Sequence, residues 1–115
     1  MLFRSSPDSS RLYLSKAVCL ADLNKYDEAS VEIGKLASSA LGQQRVSQYL
    51  ELVQDKLEAY PKLQLCFYEK LLEVERTRAD IFLVFSKVLH QQGQLERALE
   101  MVFSALKTEI GRAHV

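Results

Sequence analysis

Apolar residues along this chain recur three and four positions apart, the interval that keeps side chains on one face of an α-helix. The clearest stretch is 43–60, where Val46, Tyr49, Leu50, Val53 and Leu57 mark a single stripe. Pro61 then opens a new helix, because proline fits a first helical turn and breaks an interior one. Leu65, Tyr68, Leu71 and Leu72 are expected to carry that helix towards the core. Over the whole chain the pattern predicts an all-α fold of six helices, at 9–23, 26–38, 43–59, 61–75, 79–91 and 95–107.

Two segments repeat each other. Leu20-Ala21-Asp22-Leu23-Asn24-Lys25-Tyr26-Asp27-Glu28-Ala29 aligns with Leu89-His90-Gln91-Gln92-Gly93-Gln94-Leu95-Glu96-Arg97-Ala98 at an offset of 69 residues, which also sets Ala17 on Ser86. Asn24 and Gly93 fall where a first helix must end in a left-handed conformation, which glycine adopts freely and asparagine tolerates. Ala17, Ala29, Ser86 and Ala98 are small enough to let two helices cross closely, and Tyr26 and Leu95 are expected to plug the turn end of that crossing. No small residue stands at the matching position near Leu63, so the middle pair is expected to be splayed or longer. The offset equals two periods of about 34.5 residues, and the chain thereby resembles the tetratricopeptide repeat. That resemblance implies a right-handed helical-hairpin solenoid of about three repeats, occupying 9–109 as three helix pairs.

Charge changes the picture by exclusion. Fifteen basic residues balance fifteen acidic ones and the signs alternate along the chain, so the basic excess of a nucleic-acid binder is missing. No apolar run of 18 residues is present to cross a membrane. Cys19 and Cys66 are too few and too far apart for a disulfide framework, sit within apolar helical patterns as small core residues, and suit a reducing cytoplasm. No zinc spacing, phosphate loop or nucleophile–histidine arrangement occurs, so the expectation is a non-enzyme without cofactors or metal. Asp27, Glu28 and Glu32 read as an acidic patch at a helix start, where the helix dipole favours negative charge. His90 reads as an exposed polar residue.

In repeats of this type the first helices line a concave groove. Counting from the aligned alanines puts Arg11, Leu14, Val18 and Asp22 on that row in the first repeat, and Asp80, Leu83, Lys87, His90 and Gln91 in the third. The expected partner-binding residues are Arg11, Leu14, Asp22, Asp80, Lys87, His90 and Gln91. Leu14, Val18 and Leu83 serve equally well to pack adjacent helices, whereas Arg11, Lys87 and Gln91 are costly to bury unpaired and suit a groove better. The expected partner is a protein, with no nucleic acid and no direct membrane insertion.

Both ends look interrupted. Residues 1–8 read as the end of a truncated preceding repeat, with Leu2 and Phe3 stranded before Pro7-Asp8. Ile110-Gly111-Arg112-Ala113-His114-Val115 resembles the translation of a sequencing adapter, so 110–115 is expected to be a non-native tail. Between them, Ser10-Arg11, Lys25-Tyr26, Ala29, Val46-Ser47, Leu50-Glu51, Gln54, Ala79-Asp80 and Leu83 are similar to the later repeats of the lipopolysaccharide assembly protein B family. The segment 38–44 is longer than that family's pattern. The resemblance implies a cytoplasmic adaptor, tethered to the inner membrane through a part not in this chain, that helps a membrane protease control lipid A synthesis. A helical segment of a larger enzyme or transcription regulator is the alternative, and a purely structural spacer a third reading.

Overall fold

The computed structural model describes residues 9–113, with side chains described for 9–109. Its six helices are α1 (Ser9–Asp22), α2 (Tyr26–Gly42), α3 (Val46–Lys56), α4 (Pro61–Leu72), α5 (Ala79–Gln91) and α6 (Leu95–Ala113), and no strand occurs among the described residues. The expectation for 1–8 lies outside the described residues, as do the side chains of 110–115. The helical backbone of α6 runs six residues past 107. The chain divides into two compact units, Met1–Phe67 and Tyr68–Val115, with the division inside α4.

The first unit is organised by the α1–α2 hairpin. Ala17 and Ala29 are completely buried, so the two helices pack closely where their small residues cross. Ile33, Leu36, Ala37 and Ala40 continue the buried stripe of α2. The stripe predicted in 43–60 is buried throughout, at Val46, Tyr49, Leu50, Val53 and Leu57. In α4, Tyr68 and Leu71 are fully buried as expected, while Leu65 and Leu72 are half-buried and Leu63 and Phe67 are buried in addition, so the core face lies to the Leu63 side of the expected stripe. No pairing as close as that of α1 with α2 joins α3 to α4 among the described residues, in keeping with bulky Leu63 at the crossing.

The second unit is built on the α5–α6 hairpin, the other close pair. Ile81, Phe85, Val88 and Leu89 form the buried face of α5, and Ala98 and Ala105 are buried on α6. Ser86 satisfies its buried hydroxyl by donating to the Leu83 carbonyl at 2.7 Å, so it can stand where the first hairpin has Ala17. Tyr68 is fully buried, with its ring centroid 5.9 Å from that of Phe85. Burial pushes its phenol up to about 12, since a phenolate cannot be solvated there.

Three turns share one backbone solution. Asn24, Gln44 and Gly93 adopt positive φ of 63°, 57° and 79°, each just after a helix. In each case the next amide reaches back to close the helix end: Lys25 N–H to the Leu20 carbonyl at 2.8 Å, Arg45 to Ala40 at 2.9 Å, and Gln94 to Leu89 at 2.9 Å. The left-handed residues themselves donate to Ala21, Leu41 and His90 at 2.9, 3.2 and 3.0 Å. This is the pair of bonds that satisfies orphan carbonyls in a Schellman motif. The carbonyls of Lys25, Arg45 and Gln94 then accept the first amide bonds of the following helices at 3.0 Å each. Asn24 and Gly93 match their sequence reading. The third turn, at Gln44, was not legible, because glutamine carries no preference for left-handed backbone.

Candidate functional site

Lys87, His90 and Gln91 come together on the second hairpin. With Ser86 they form the α5 wall of an open depression of ≈ 630 Å³, whose α6 wall is Leu95, Ala98, Leu99 and Val102. Leu95 does not plug the turn as expected; it is 58% exposed, and Leu99, Phe103 and Leu106 extend the same exposed apolar stripe along α6. Their spacing of four, four and three places them on one face. Burying each such side chain is worth about 1.5–3 kcal/mol, so this stripe is an unclaimed source of binding energy on the described surface. Lys87 has no ion-pair partner among the described residues, and no carboxylate lines the depression.

Asp80 stands apart from that group. Its carboxylate takes two bonds from Arg78, Nε to Oδ1 at 3.1 Å and Nη2 to Oδ2 at 2.7 Å, and Oδ1 also accepts the Ile81 amide at 2.9 Å. The Arg78 guanidinium accordingly holds the Asp80 carboxyl below the usual carboxylate range, against the opposing effect of burial. At the start of α5 this pair serves the helix N-terminus, where negative charge is favoured.

In the first unit the expected groove row is occupied from within. Leu14 is only 4% exposed, so it packs and offers little surface. It lies in a ≈ 250 Å³ depression with Arg11, Ser15 and Lys56 of α3. Arg11 is exposed and Val18 half-buried. Asp22 accepts a hydrogen bond from the Tyr60 hydroxyl at 2.9 Å, and that bond, ahead of burial, raises the Tyr60 phenol above its ordinary value. Tyr26, expected as a plug, is 38% exposed and carries the Lys62 ammonium 5.1 Å from its ring centroid, a cation–π contact.

Three further readings change on inspection of the packing. Glu32 is not part of an exposed acidic patch with Asp27 and Glu28. It is 5% exposed, and Oε2 pairs with Lys35 at 3.2 Å and with Lys16 of α1 at 3.3 Å. Burial raises its carboxyl pKa, and the two ammonium groups more than reverse this, leaving it below the ordinary value. Cys19 is exposed rather than a core residue, and Cys66 is half-buried. Both follow from phase: each sits at the edge of its apolar stripe, which periodicity alone places to within a residue or two.

Among the described residues, no helix is long and apolar enough to cross a membrane. No protein-family model, no curated protein and no solved structure matches the chain. The α5–α6 depression combines an apolar floor with one unpaired lysine on its rim.

Proposed function

We propose that the chain is a protein-binding helical scaffold of tetratricopeptide type, whose helix pairs continue as a right-handed solenoid with the first helix of each pair lining a concave face. The observation that carries this reading is the exposed α6 stripe beside Lys87, His90 and Gln91. An apolar floor with a sparse polar rim is the usual composition of a surface that holds another polypeptide. The identically capped turns support the repeat part of the reading, since Asn24 and Gly93 stand two repeat periods apart and close their hairpins with the same bonds. In the setting implied by the lipopolysaccharide assembly resemblance, the segment belongs to a cytoplasmic adaptor through which a membrane protease governs lipid A synthesis.

The test is capture of partner proteins by the immobilised chain, compared with the double variant Arg11→Glu, Lys87→Glu. Selective capture that the variant loses supports a scaffold using these rows. Capture that is absent, or unchanged in the variant, makes the segment a spacer.

A further inference from the structure

We draw no further inference here: the strongest candidate, the ≈ 250 Å³ depression where Arg11 and Ser15 of α1 meet Lys56 of α3 over buried Leu14, belongs to the groove row already described, its polar side chains are all exposed, and nothing in the structure shows what covers it.

Discussion

Exchanging residues between two of the left-handed turns tests the backbone argument without touching a contact. Gly93 holds φ +79° with nothing within 4 Å of the place a Cβ would occupy, so Gly93→Ala introduces no clash and only backbone strain. A non-glycine residue in this region costs about 1–2 kcal/mol. Restricting the unfolded chain returns about 0.4–1 kcal/mol. The net expectation is a loss of about 0.5–1 kcal/mol. Gln44 is the mirror case: at φ 57° it bears the strain that glycine would relieve, so Gln44→Gly should gain a similar amount. Urea unfolding followed by far-UV circular dichroism, with slopes of about 1–3 kcal/mol per molar, should show midpoints displaced in opposite directions by roughly half a molar. Amide exchange assigns each shift to its unit, since Gly93 belongs to the second and Gln44 to the first. A Gly93→Ala chain as stable as the parent, or a Gln44→Gly chain less stable, would refute the account of the turns.

Three other outcomes are expected. Ala29→Leu forces extra volume into a fully buried crossing and should cost about 1–3 kcal/mol, seen as a lower melting temperature, whereas Val31→Leu, at a position 58% exposed, should cost little. Because the Glu32 carboxyl sits below its ordinary 4.5, its pairing stabilises the fold fully above that pH and fades as the pH falls through the lower native value. Glu32→Gln should therefore flatten the acid limb of a stability profile, and a profile of unchanged shape would count against the ion pairs. Tyr68 titrates in the opposite sense: with its native value at about 12 against 10.0, stability should be intact below pH 10 and decline as the pH rises towards 12. Tyr68→Phe should remove that part of the alkaline loss, monitored by phenolate absorbance alongside helicity.

How much of this was legible in the sequence depended on which physical signal each feature carries. Helix number and order followed from apolar spacing alone, and the starts of α1, α2, α4, α5 and α6 coincide with the expected ones. Asn24 and Gly93 were readable because their residue types report backbone conformation. Gln44 was not, and the end of α2 was placed four residues short as a result. Lys87, His90 and Gln91 could be grouped from helical phase, and they do share one wall. The other wall was missed, since Leu95 and Leu99 look like core residues to any rule based on hydrophobicity. The signal that could have found them is the substitution of Leu99, Phe103 and Leu106 for Ser30, Gly34 and Ala37 across the internal repeat. Leu14 and Leu83 were indistinguishable in sequence, and only the position of α3 separates them.

The caps entering α2 and α3 use no side chain: neither Lys25 nor Arg45 makes a side-chain bond to the helix it precedes. The entries to α2 and α3 are consequently written in main-chain amides, while the side chains of Lys25 and Arg45 are exposed. Lys25 and Arg45 can therefore change in charge and size without bending the helices they precede. The shape of the turn is thereby separated from the chemistry its edge displays, since the bonds that hold it belong to the backbone.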